Sequence, residues 1–137
     1  VTANGPITLR GRREARERAV ELAYEADLRR IGVDELLATI PLPPSAFTIA
    51  LLRAAEAHRE EAEERIGAKA TGWSMARMPV IDRLVMVLAV AELLSIDTPP
   101  GVVLSEAVDL VSRYSTEESA RFVNGVLAAI VRDLSST

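Results

Sequence analysis

Apolar residues fall along this chain in blocks of helical period, and the densest block sets the frame for the rest. From Pro79 to Leu94 the sequence reads PVIDRLVMVLAVAELL, and Leu84 to Ala91 are eight apolar residues in succession. A segment with no polar side must be covered all round, yet a bilayer span needs roughly 18 to 20 apolar residues, so this one is too short to cross a membrane. Pro79 suits a first helical position, where a missing N–H costs nothing. Leucine, methionine and alanine favour helix, and the segment is longer than a typical strand. The valines at 80, 85, 87 and 90 support the competing reading of a buried strand. Helix is the stronger prediction, and it makes this segment the centre of an all-α domain.

The other elements follow from the same pattern. Val1–Leu9 has no period and contains Gly5 and Pro6, so residues 1–10 read as a flexible tail on a single domain spanning 1–137. From Gly11 a first helix places Ala15, Ala19, Leu22, Ala23 and Ala26 on one apolar face, with Arg12, Arg13 and Arg16 on an adjoining arc continued by Val20, Tyr24 and Asp27. Gly32 is expected to end it, and Asp34 to cap a short helix over Glu35–Thr39. After Pro41, Pro43 and Pro44, a third helix is predicted from Ala46 to Ile66 with Phe47, Ile49, Leu51 or Leu52, Ala55 and Ala62 inward. Gly67–Gly72 reads as a loop, and Trp73 as a plug over the core edge at the start of a short turn ending at Met78. Pro99 and Pro100 break the chain before a helix over Gly101–Tyr114 that turns Val103, Leu104, Ala107, Val108 and Val111 inward. The last helix runs to about Leu134 and starts either at a capping box, Ser115 with Glu118, or at Thr116. Its internal Gly125 costs about 1 kcal/mol relative to alanine, which predicts close approach of another helix, with Asn124 bonding a buried backbone group.

A chain of 137 residues is long enough to bury a core without staples. It has no cysteine and a single histidine, His58, set in a charged run that reads as surface. Disulfides, thiolate metal sites and thiol nucleophiles are therefore excluded. No segment resembles a secretory signal, so the expected location is the cytoplasm. Net charge is −4, but it is unevenly spread: the first 20 residues carry five arginines against two glutamates, and the remainder carries 11 basic and 18 acidic side chains. A positive end on an acidic body points to a localised anion site.

The candidate chemistry is binding. There is no glycine-rich phosphate loop, no nucleophile elbow and no carboxylate pair set in an apolar pocket, so no catalytic residue, metal site or cofactor is expected. Arginines in the first turn of a helix oppose its dipole by a few tenths to about 1 kcal/mol each. An arriving polyanion turns that cost into a contribution, because helix amino-termini and guanidinium forks both fit phosphate. A solvated arginine face paired with Glu14 and Glu17 is the competing reading. At the other end of the chain, Arg121 and Phe122 follow Tyr114 and the acidic Glu117 and Glu118. Arginine on phosphate with an aromatic ring on an unstacked base is a common RNA-binding combination, although aromatics at helical spacing also serve as core.

Three patches resemble the NusB family of bacterial transcription antitermination factors. They are Gly11-Arg12-Arg13-Glu14-Ala15-Arg16 with Ala19-Val20 and Tyr24; Ile81-Asp82-Arg83 with Glu92-Leu93-Leu94; and Pro99, Glu106-Ala107-Val108 and Phe122-Val123-Asn124-Gly125-Val126-Leu127. The resemblance implies a compact bundle of about seven helices in two small sub-bundles and a function without catalysis. It implies a pairing with the ribosomal protein NusE, binding of single-stranded boxA RNA in nascent ribosomal transcripts, and action within the RNA polymerase antitermination complex. Some relatives form homodimers that cover the RNA face.

By matching positions, Arg12, Arg13 and Arg16 would hold phosphates, and Tyr24, Tyr114 and Phe122 would lie along bases; Glu118 and Arg121, read from their place at the start of the last helix, are expected to border that RNA path. Asp82 would stand near the partner and RNA surfaces, and Arg83 near the partner. The chain departs from the family at Glu14, where many relatives have a basic residue, and at Val87 and Ala91, where relatives often have an arginine and an aromatic. The last two are expected to alter the partner-facing side of the central helix. Two alternatives share the helical pattern: the RNA-recruiting first domain of a ribosomal RNA cytosine methyltransferase, and a protein-only dimerisation module. Two variants test the RNA-binding reading. Arg12→Ala with Arg16→Ala is expected to abolish RNA binding without unfolding, and Glu118→Asn to strengthen it.

Overall fold

The computed structural model describes residues 9–136, and among them it contains seven α-helices, one short 3-10 turn and no strand. The helices are α1 (Leu9–Arg29), α2 (Val33–Thr39), α3 (Ala46–Ala57), α4 (Arg59–Lys69), α5 (Val80–Ser95), α6 (Pro100–Tyr114) and α7 (Glu117–Ser135), with the 3-10 turn at Met75–Arg77. Most of the segment expected as a tail, residues 1–8, lies outside the described residues; α1 already begins at Leu9.

The apolar run behaves as its composition demands. Every residue from Leu84 to Glu92 is buried, and α5 is packed by α1, α3, α4, α6 and α7. It belongs to two sub-bundles at once: α1 and α3, with short α2 alongside, cover one side, and α4, α6 and α7 cover the other. Pro79 stands just before the helix as its cap residue, one position earlier than predicted.

Several local expectations change. The first helix stops at Arg29 because Arg30 takes a left-handed backbone (φ 55°), and Ile31 N–H then donates to the Ala26 carbonyl at 3.1 Å. That geometry closes a helix end with arginine in the place glycine usually holds. Gly32 precedes α2 as its cap, and the expected cap Asp34 lies inside its first turn; the Val33 N–H is held by Glu56 of α3 at 2.9 Å. The single helix predicted over Ala46–Ile66 is two helices that meet at His58. The bend has a packing reason: it returns Ala62 and Ile66, the buried residues of the charged stretch, to α5 and α7. Gly67 is helical, so the loop is shorter than Gly67–Gly72.

Gly125 is the clearest correction. It is exposed, a Cβ there would meet nothing within 4 Å, and Asn124 is exposed beside it. No neighbouring helix explains this glycine.

Candidate nucleic-acid interface

The arginines at the start of α1 have three different environments. Arg16 is buried, with Nε donating to Glu92 Oε1 at 3.1 Å and Nη2 to Oε2 at 2.5 Å, a bidentate pair across the α1–α5 contact. Its guanidinium also lies 5.2 Å from the centroid of the Phe47 ring. The expectation of three arginines on one open arc therefore fails for Arg16. The arc it shares with Val20 and Ala23 faces the core, and Glu92, buried at the end of the apolar run of α5, requires a cation beside it.

Arg12 is half-buried, with its guanidinium 4.7 Å from the same Phe47 ring, and no carboxylate among the described residues pairs with it. Arg13 is 64% exposed and reaches Glu106 of α6 at 2.9 Å. Two guanidiniums thus remain within reach of an incoming anion, both held in place: one by a ring, the other by a carboxylate.

A second cluster forms where α7 begins. Thr116 caps the helix by accepting from the Ser119 N–H at 3.0 Å, so Glu118 is exposed and takes no part in a capping box. Trp73, Phe122, Asp82, Glu118 and Arg121 line a groove of about 430 Å³. Trp73 is 47% exposed and does not plug the core; its ring centroid lies 6.0 Å from that of half-buried Phe122, with the planes inclined at 55°. Sequence reasoning placed Trp73 elsewhere for want of a sign that its neighbour would be Phe122. Asp82 is 1% exposed, on the floor of the groove.

Alpha6 joins the two clusters. Glu106 binds Arg13 near its middle, and Arg113 near its end donates to Glu17 of α1 at 2.6 Å. That hydrogen bond raises the Arg113 pKa further above its usual value, against the opposing effect of burial, with the charges of Glu17 and Asp109 adding to it. From Glu106 to Tyr114 the helix rises about 12 Å, and α7 starts three residues on. Tyr114 is 45% exposed, with the Arg113 guanidinium 5.9 Å from its ring centroid. Tyr24 is half-buried on α1.

Arg83 sits differently: its guanidinium is largely covered and donates to Asp27 Oδ2 at 3.3 Å, while Arg59 reaches Oδ1 at 3.4 Å. Val87 and Ala91 are buried, so the two departures in α5 lie in the core and leave no altered outer surface.

A sequence model of the NusB family matches residues 13–132. The chain belongs to the NusB family. It is 45% identical over 126 residues to the transcription antitermination protein NusB of Saccharopolyspora erythraea, covering 87% of this chain and 85% of that one. It is 44% identical over 124 residues to that of Acidothermus cellulolyticus, covering 87% and 86%. NusB proteins are non-enzymatic antitermination factors. Among solved structures, antitermination factors NusB and NusE in complex with double-stranded RNA superpose with a TM-score of 0.78 at 32% identity, covering 92% of this chain and 99% of the other. T. maritima NusB superposes with a TM-score of 0.77 at 28% identity, covering 93% of each. The NusB fold thus extends over nearly all of the described residues, both clusters included.

Proposed function

We propose that this chain is a cytoplasmic transcription antitermination factor that binds single-stranded boxA RNA of nascent ribosomal transcripts together with NusE, as part of the RNA polymerase antitermination complex. One observation carries the reading: on a chain of net charge −4, Arg12 and Arg13 stand within reach of an anion at the start of α1, and Arg121 stands with the rings of Trp73 and Phe122 at the start of α7. Phosphate contacts supply affinity, and rings on unstacked bases supply preference for an unpaired strand. The similarity to a NusB that was solved with NusE and RNA supports the same class of partners.

The test is a band-shift titration with boxA-like RNA, with and without NusE. Arg12→Ala with Arg13→Ala is expected to weaken binding tenfold or more at about 0.15 M salt and to reduce the salt slope by roughly 1 to 1.5, the share of two phosphate contacts on a single strand. Unchanged affinity and slope would remove the arginines from the interface.

A further inference from the structure

Away from both clusters, a cavity of about 240 Å³ opens between the end of α1, the end of α3 and the first half of α5. Small side chains leave the space: Ala23 and Ala26 of α1 and Ala55 of α3 stand across from Leu84 and Leu88 of α5. Ala26 lies about 21 Å along α1 from Arg12. An apolar cavity of roughly 150 Å³ already holds a benzene ring, so this one has room for a phenyl or isobutyl group.

The mouth of the cavity is charged, with both signs present: Arg30 and Arg59 stand there with Asp27 and Glu56. Asp27 is already held by Arg59 and Arg83, at 3.4 and 3.3 Å. Glu56 accepts the Val33 N–H on Oε2 at 2.9 Å, and among the described residues its Oε1 has no partner. Arg30 is exposed, and no carboxylate among the described residues pairs with it. Its left-handed backbone, φ 55°, is one that side chains other than glycine and asparagine rarely adopt. Glycine would close this helix end with less strain, so the turn alone gives no reason for an arginine. The two unengaged charges are neighbours, because a Cβ on Gly32, two residues after Arg30, would stand 3.2 Å from Glu56 Oε2.

We propose that this cavity binds a free apolar α-amino acid, with its carboxylate on Arg30, its ammonium on Glu56 and its side chain between Ala26, Leu84 and Leu88. Charge complementarity selects this ligand class. A simple anion gains from Arg30 but is repelled by Glu56, and a simple cation meets the reverse. A zwitterion satisfies both, and its apolar side chain removes the empty space from contact with water. The site shares no residue with either arginine cluster, and the inference does not rest on RNA binding.

The probe is L-phenylalanine, titrated into the full chain to about 10 mM, the range in which so small a ligand binds. Methyl NMR spectra read the site, with saturable shifts expected at Leu84, Val87 and Leu88. Three analogues each lack one group: 3-phenylpropionate the ammonium, phenethylamine the carboxylate and glycine the ring. Each is expected to bind about tenfold weaker than phenylalanine. Arg30→Gly is expected to weaken phenylalanine binding about tenfold while its melting temperature stays level or rises, since glycine relieves the backbone. The analogue series runs on the unmodified protein, so it decides the matter if the variant fails to fold. Equal binding of 3-phenylpropionate would mean a pocket for anions and overturn the zwitterion. Parent-like binding by a folded Arg30→Gly would overturn the role of Arg30 and the proposal with it. Shifts that do not saturate, or that fall on methyls outside the cavity, would overturn the site.

Discussion

Removing the Arg16 guanidinium should cost this protein much of its stability. Arg16→Ala leaves Glu92, with a side chain only 3% exposed, without its bidentate partner on the dry side of α5. Breaking a buried pair from one side typically costs about 3–5 kcal/mol, and the contact with Phe47 adds about 0.5–2 kcal/mol. Against a total of about 5–15 kcal/mol for a domain, that loss lowers the melting temperature by roughly 10–20 °C. Replacing both partners with apolar groups, as Arg16→Met with Glu92→Leu, removes the stranded charge and should restore stability to within about 1 kcal/mol or exceed it. Urea denaturation followed by far-UV circular dichroism measures both variants, and unchanged slopes would show that the denatured state is not responsible. The double variant should also keep its RNA affinity, because the Arg16 guanidinium is buried between Glu92 and the Phe47 ring, away from an incoming phosphate. If Arg16→Ala melts within about 1 kcal/mol of the parent chain and loses RNA binding instead, then Arg16 serves the ligand and the structural argument is wrong. The expectation from sequence that Arg12→Ala with Arg16→Ala leaves the fold intact is replaced by this one.

Gly125→Ala should raise stability by about 0.5–1 kcal/mol, since the site is helical, exposed and free of neighbours within 4 Å of an added Cβ; a lower melting temperature would show a role for the glycine beyond the helix itself. Glu118→Asn should tighten RNA binding a few-fold at low salt, with the gain fading as salt screens the repulsion. Because Thr116 caps α7, the helix should not unravel, and weaker binding in a band-shift series would place Glu118 on the side of attraction.

The frame of the fold was legible because α5 has no alternative: an apolar run with no polar side can only be a covered helix or strand, and its length chose helix. The prolines at 43, 44 and 99 stand between helices as read, whereas Pro100 opens α6, one residue before the predicted start. The break at His58 was invisible, since it depends on where Ala62 and Ile66 can meet α5 and α7, a tertiary fact with no local marker. Gly125 misled for the opposite reason. A glycine inside a helix invites a packing explanation, and here the neighbouring space is empty.

The arginine cluster shows how charge can be misread as exposure. Arg16, Val20, Ala23 and Asp27 lie at i, i+4, i+7 and i+11, one stripe down α1, and the first two are buried. Val20 on that stripe was a sign that the arc faced inward. A second sign lay in α5, where Glu92 directly follows the eight-residue apolar run and is as buried as its neighbours. A carboxylate at such a position must bring a cation from another helix, and α1 packs on α5 with an arginine at its inward stripe. Two charges placed on the inward faces of two helices are therefore a pairing signal, readable before any coordinates. The neighbouring Arg12 and Arg13 then follow as the pair left for an anion, because Arg16 has already fixed the rotation of α1 that turns them toward the rim.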